Sequence, residues 1–124
     1  MFRKIVVAFL VLMTFTSAHA QSVDSVVSIY AEKYQQEKIH IHFDKAAYNK
    51  GETVWLKAYL MAGTEPSNIS KSFYIDCYDA NGKMLAHNIF PVFESCAKGQ
   101  FVIPDNYTQS FVHVRAYTKW MLNF

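Results

Sequence analysis

The sequence predicts an all-β fold: an antiparallel β-sandwich of the immunoglobulin or fibronectin kind, preceded by a signal peptide and a short helix. Three observations predict it. From Lys38 onward apolar and polar residues alternate with a period of two, the spacing that sends successive side chains to opposite faces of a strand. About six such runs follow one another at the turn spacings of a sandwich, and no helical crossover of the length a parallel sheet needs lies between them. Aromatic residues make up 16% of the chain, which suits a fold whose pleated faces are filled by Phe, Tyr and Trp.

The chain opens with a positive head, Arg3 and Lys4, an apolar run from Ile5 to Met13, and the small-x-small tripeptide Ala18-His19-Ala20. This is the three-part pattern of a secretory signal peptide over residues 1–20, with Gln21 as the new N-terminus. The apolar run falls short of the roughly 20 residues that a membrane-spanning helix needs, and no other long apolar stretch follows, so the mature chain is expected to carry no transmembrane segment. The residue directly after the cleavage site is Gln21 rather than cysteine, which argues against a lipid anchor. Residues 21–37 read as a short helical lead-in: Val23, Val26, Val27, Tyr30, Ala31 and Tyr34 recur at helical spacing, and Ser22 or Asp24 could cap its start.

The remainder, residues 38–124, reads as the sandwich. Ile39, Ile41 and Phe43 alternate with His40 and His42, and Asn49-Lys50-Gly51 marks a turn. Val54, Leu56, Ala58 and Leu60 alternate with Trp55, Lys57, Tyr59 and Met61. A polar loop from Thr64 to Ser70 follows, then Phe73, Ile75 and Cys77 alternating with Tyr74, Asp76 and Tyr78. Asn81-Gly82 lies between this run and the next, Met84 to Val92, and predicts a type I′ hairpin, because that turn needs two residues tolerant of positive φ. Gln100 to Ile103 is a short strand stopped by Pro104, and Phe111 to Tyr117 is the last, with Val112, Val114 and Ala116 on one face.

The stretch Phe43 to Leu60, FDKAAYNKGETVWLKAYL, resembles the second macroglobulin-like domain (MG2) of the alpha-2-macroglobulin family. Asp44, Lys45, Tyr48, Gly51, Glu52, Thr53 and Val54 match its pattern. Asp79 to Lys83 is similar to the family's central hairpin, and Gly99 to Pro104 with Arg115 to Thr118 to its closing strands. The resemblance covers about residues 38 to 120, most of the mature length. The wording Arg-Ala-Tyr-Thr-x-Trp-Met is most similar to exported proteins of Bacteroidota, in which such a domain stands at the N-terminus of a longer chain, often one with a TonB-dependent receptor-like region. The chain departs from the pattern at Ala46 and Lys50, where proline is usual, at Phe43 for threonine and at Ser110 for glycine. Each missing proline costs preorganisation of the turn, about 0.4–1 kcal/mol. The thioester motif Gly-Cys-Gly-Glu-Gln is absent, so the family's covalent trapping of proteases is not implied, and an endopeptidase-inhibitor association rests on analogy alone. The motif residues themselves read as structural. Gly51 permits a backbone conformation closed to other residues, Asp44 can accept backbone N–H bonds, and Tyr48 can bury its ring while its hydroxyl finds a partner.

The whole chain has 12 Lys and Arg against 10 Asp and Glu. Arg3 and Lys4 leave with the signal peptide, so the mature balance is neutral, which argues against nucleic acid as a partner. No assembled catalytic constellation is visible, and no cofactor is expected. His40 and His42 share a strand face and could join His113 in holding zinc or copper. Surface histidines are the preferred reading, because no carboxylate is placed to orient the rings. Asp79 to Gly82 lacks calcium-loop spacing, with Cys77 and Asn88 at the first and twelfth positions. Cys77 and Cys96 could pair in an oxidising compartment, and the sequence leaves this open. Trp55 and Tyr59, extended by Tyr74, could form a partner surface for an adjacent domain, a protein or a sugar.

The chain ends in apolar residues, Trp120, Met121, Leu122 and Phe124, so a sandwich truncated at its C-terminal end is expected. Unpaired final strands could accept a partner by strand addition. The expected protein is an exported, non-catalytic structural or protein-interaction module, periplasmic, outer-membrane-associated or extracellular, whose partners are other proteins or neighbouring domains of a larger chain. The alternative is a ligand- or glycan-binding module of a TonB-dependent uptake receptor.

Overall fold

The structure, a computed structural model, describes residues 20–124, with side chains from Val23 onward; the signal-peptide reading of residues 1–20 therefore falls outside the described residues except at Ala20. The chain divides into two compact units that part after Gln35. The first contains helix α1, Ala20–Lys33, which starts earlier and stops sooner than its apolar spacing predicts. Tyr30 and Tyr34, one turn apart, bring their ring centroids to 5.1 Å. Among the described residues, no helix is long and apolar enough to cross a membrane.

The second unit holds seven strands in two antiparallel sheets. Strands β1 (Glu37–Phe43), β2 (Thr53–Ala62), β3 (Glu65–Pro66) and β6 (Cys96–Val102) form one; β4 (Ser72–Tyr78), β5 (Met84–Pro91) and β7 (His113–Tyr117) form the other, in the order β5-β4-β7. Strand β2 is long enough to pair with β1 along one side and with β6 and β3 along the other. The two-residue β3 lies in what reads as polar loop, and β6 starts four residues before the alternation at Gln100 suggests. A 3₁₀ turn, Trp120–Asn123, follows β7.

The period of two decides what is buried. Val54, Leu56 and Ala58 from β2 and Ala97 and Phe101 from β6 meet Phe73, Ile75 and Cys77 from β4 in one core shared by both sheets. Trp55, Lys57 and Tyr59 consequently face out from one sheet, and Tyr74, Asp76 and Tyr78 from the other.

The hairpins invert the turn prediction. At Asp79–Lys83 only Gly82 has positive φ, at 82°, and its N–H bonds Asp79 O at 3.0 Å. The Asp79 carboxylate accepts the N–H groups of Asn81 and Lys83 at 2.9 and 2.8 Å. This side-chain bonding favours a type I turn closed by a left-handed glycine over the type I′ turn that Asn-Gly predicts. The two consecutive positive φ values fall instead on Glu94 (47°) and Ser95 (61°). There Phe93 and Cys96 exchange both backbone hydrogen bonds, at 2.8 and 2.9 Å.

Candidate functional site

The matched motif residues come together at one corner. Asp44 Oδ1 accepts the Tyr48 hydroxyl at 2.5 Å and the Trp55 N–H at 3.2 Å, and the Tyr48 oxygen accepts the Lys45 N–H at 3.0 Å. Glu52 accepts the Asn49 N–H at 3.0 Å and meets Lys45 Nζ at 3.4 Å. Gly51 has φ +80°, and a Cβ there would collide with the Asp105 carboxylate. Its N–H bonds Ile103 O at 2.9 Å, while Ile103 N–H bonds Glu52 O at 3.0 Å. The Tyr48 hydroxyl, foremost, with the Trp55 N–H, holds the Asp44 carboxyl below its usual range. The Asn49 N–H, foremost, does the same for Glu52. Desolvation, then the neighbouring Asp44, raises Tyr48. The side chains of Asp44, Lys45, Tyr48 and Glu52 thus fix the chain between β1 and β2, with Thr53 and Val54 opening β2.

The outward face of the β1–β2–β6 sheet is cationic and aromatic. In register, His40, Tyr59 and Cys96 form one row across three strands, and His42, Lys57 and Lys98 form the next. Lys57 Nζ lies 4.8 Å from the Tyr59 ring centroid. Hydrogen bonding to Tyr59, foremost, then the nearby Cys96, raises the Lys57 pKa. Trp55 is 56% exposed and helps line a cavity of about 580 Å³ with His42, Lys57, Lys98 and Gln100.

Tyr74 does not extend this surface. It lies on β4 of the other sheet, whose outward face points away from Trp55 and Tyr59. There it stacks on Tyr117, centroids 5.3 Å apart, with Lys119 Nζ 5.7 Å from its ring. At the centre of that second face Asp76 is 3% exposed. His87 Nδ1 approaches its Oδ1 at 2.5 Å, Tyr78 donates to its Oδ2 at 3.4 Å, and Arg115 stands opposite in register. Desolvation, then Asp76, raises the Tyr117 pKa. Asp76 and His87 make an acid–base pair that sequence reading missed, since nothing in the alternation ties His87 to the middle of β4. The Tyr-Asp-Tyr alternation at Tyr74, Asp76 and Tyr78 is the one signal that could have marked the site.

The three histidines do not converge. His40 and His42 are on β1, whereas His113 is on β7 of the other sheet, packed edge-on against Phe111 at 5.0 Å. No group of three potential ligands for a metal is found among the described residues. Cys77 and Cys96 are free thiols. Cys77 points into the shared core from β4 while Cys96 begins β6 on the outward side of the facing sheet, so the backbone turns the two sulfurs apart. Burial, foremost, and Asp76 push the Cys77 thiol up to about 11.

Sequence reading also missed Glu37, placed in the helical lead-in and found inside β1, 4% exposed. Its carboxylate accepts the Ser67 hydroxyl at 2.5 Å, the Ser70 hydroxyl at 2.5 Å, the Ser70 N–H at 3.1 Å and the Thr118 hydroxyl at 2.6 Å. Burial pulls its pKa upward, and these four hydrogen bonds outweigh burial and hold it low.

No family model, curated protein or solved structure matches this chain. The fold and its faces define an antiparallel β-sandwich with a braced corner and two dissimilar outer faces.

Proposed function

We propose that this chain is an exported, non-catalytic sandwich of the immunoglobulin-like, macroglobulin (MG2) type, serving as a structural or protein-interaction module of a larger envelope protein. The carrying observation is the corner built by Asp44, Tyr48, Gly51 and Glu52. The residues that resemble the MG2 pattern are spent on backbone and on one another, which is the economy of a rigid spacer or docking domain and leaves no group there to react.

The test is to express the full chain in a Gram-negative host, fractionate the cells and determine the N-terminus by mass spectrometry. The expected product begins at Gln21 and is found in the envelope or medium. An intact chain beginning at Met1 in the cytosol overturns the exported reading.

A second reading has its own support. The exposed Trp55 beside a cavity bordered by Lys57 and Lys98 suits stacking on a sugar ring with polar or anionic substituents. Binding to a glycan array that Trp55→Ala abolishes, with the corner intact by circular dichroism, would move the assignment to a glycan-binding module.

A further inference from the structure

Among the described residues β7 is an edge strand. Lys71 O accepts the Val92 N–H, so in the register that continues from this pair Phe73 and Ile75 bond β5, and the backbone groups of Tyr74 and Asp76 point to β7. On β7, Arg115 and Tyr117 are therefore tied to β4. Val114 and Ala116 turn their N–H and C=O groups toward the free side.

Apolar surface runs beside that edge. Ile39, Ile41 and Phe43 from β1 and Val112, Val114 and Ala116 at β7 pack against the core yet stay only half-buried. Phe43, Val112 and Val114 border a cavity of about 700 Å³ at one end of this flank. At the other end the flank is tied shut by Thr118 and Glu37.

The geometry points to the free edge of β7 as an acceptor for an extended segment of another protein, apolar at alternate positions and acidic at those between. This deepens, and rests on, the reading of the chain as a protein-interaction module. An antiparallel strand added here bonds Val114 and Ala116, and its residues at those levels point inward onto Ile41 and Phe43. Its residue opposite Arg115 falls in a non-hydrogen-bonded pair, where Cα atoms approach to about 4.5 Å and side chains meet. The Arg115 guanidinium lies over the Tyr117 ring at 4.8 Å with Asp76 opposite on its β4 side, and an acid in the added strand meets it from the free side. A second copy of this chain is the poorer occupant. Antiparallel pairing of the five-residue strand with itself centres on Arg115 and sets Arg115 against Arg115. Main-chain bonds supply affinity and the alternating side chains supply selection.

The test uses the full chain and two fluorescein-labelled peptides, one alternating valine with glutamate and one alternating valine with lysine, read by fluorescence anisotropy. The glutamate peptide is expected to bind about tenfold tighter than the lysine peptide. Arg115→Glu should reverse that order, a gain of binding that a misfolded variant cannot show. Ala116→Pro removes an outward N–H without touching the ladder to β4 and should weaken the glutamate peptide. Strand addition is overturned by binding of neither peptide, by equal binding of both, or by indifference to both variants. A concentration-dependent dimer that Ala116→Pro abolishes overturns it in favour of self-pairing. None of these results alters the N-terminal processing result, which tests the exported-module reading on its own.

Discussion

Along one flank of the sandwich, Phe90 of β5 lies on Gly99 of β6, so close that a Cβ at Gly99 would sit 2.5 Å from the ring, and Asn88 Nδ2 donates to Gln100 O at 3.2 Å. Along the other, β1 and β7 leave half-buried apolar side chains between them and are tied at one end by Glu37 and Thr118. The difference follows from chain order. Strands β5 and β6 are consecutive and joined by a tight hairpin at Phe93–Cys96, so packing them carries little loop-closure cost. Glu37 and Thr118 are 81 residues apart, and a flank assembled from such distant segments has no connecting turn to set it. A polar clamp does that work, and the apolar surface beside it stays half-exposed.

Breaking the closed flank should cost most. Phe90→Ala removes the ring that fills the space left by Gly99, and a loss of about 3 kcal/mol is expected in urea unfolding. Ile41→Ala on the open flank, where the side chain is already half-exposed, should cost only about 1–2 kcal/mol. Equal losses would mean that the open flank is as well packed as the closed one, and strand addition would lose its apolar groove.

The clamp comes next. Glu37→Gln keeps the shape but weakens four charge-assisted hydrogen bonds, with an expected loss of about 2 kcal/mol at pH 7. The pH dependence has a definite sign. The folded-state pKa of Glu37 lies below its ordinary 4.5, so the stabilisation is complete above that value and drains away as pH falls through the lower, folded pKa. Glu37→Gln should flatten this acid limb of the stability curve. An unchanged limb would show that other carboxylates, with Asp44 and Glu52 the first to consider, govern acid unfolding.

A smaller effect probes the contact itself. Gly99→Ala pushes a methyl group into the Phe90 ring and should cost about 1–2 kcal/mol. Combined with Phe90→Leu, the cost should shrink, because the obstacle is the ring. Additive losses would place the strain in the backbone of β6.

How far the sequence foretold these features depends on whether they are local. The alternation from Ile39 to Phe43 and from Val54 to Leu60 identified buried and outward positions correctly, because the period of two is a property of each strand alone. The corner was legible for the same reason: Asp44, Tyr48, Gly51 and Glu52 lie within nine residues, and their bonding is mostly local. Glu37 was not legible. Its partners stand 30, 33 and 81 residues away, and its sequence neighbours suggested the end of a helix. The grouping of Tyr74 with Trp55 failed because alternation assigns a face to each strand and says nothing about which sheet the strand joins. The pairing of His87 with Asp76 needed the β4–β5 register, which shifts between Cys77 and Tyr78.

The hairpin closing the packed flank gives the smallest and sharpest test. Asn81-Gly82 carries the composition for a type I′ turn, yet the consecutive positive φ values belong to Glu94 and Ser95. Residues other than glycine, asparagine and aspartate carry a penalty of roughly 1–2 kcal/mol in that region. The penalty is tolerated because the turn is anchored on both sides: Leu60 N–H bonds Ser95 O at 2.8 Å, and Phe93 and Cys96 exchange two bonds. Glu94 is exposed, so Glu94→Asn relieves the backbone without disturbing packing. It should raise stability by about 0.5–1 kcal/mol, seen as a higher urea midpoint with an unchanged slope. It should leave glutamate-peptide binding at β7 untouched, since β7 lies on the opposite flank. A stabilising change that also altered peptide binding would show the two flanks to be coupled through β4, and the division between a set flank and a receptive one would have to be abandoned.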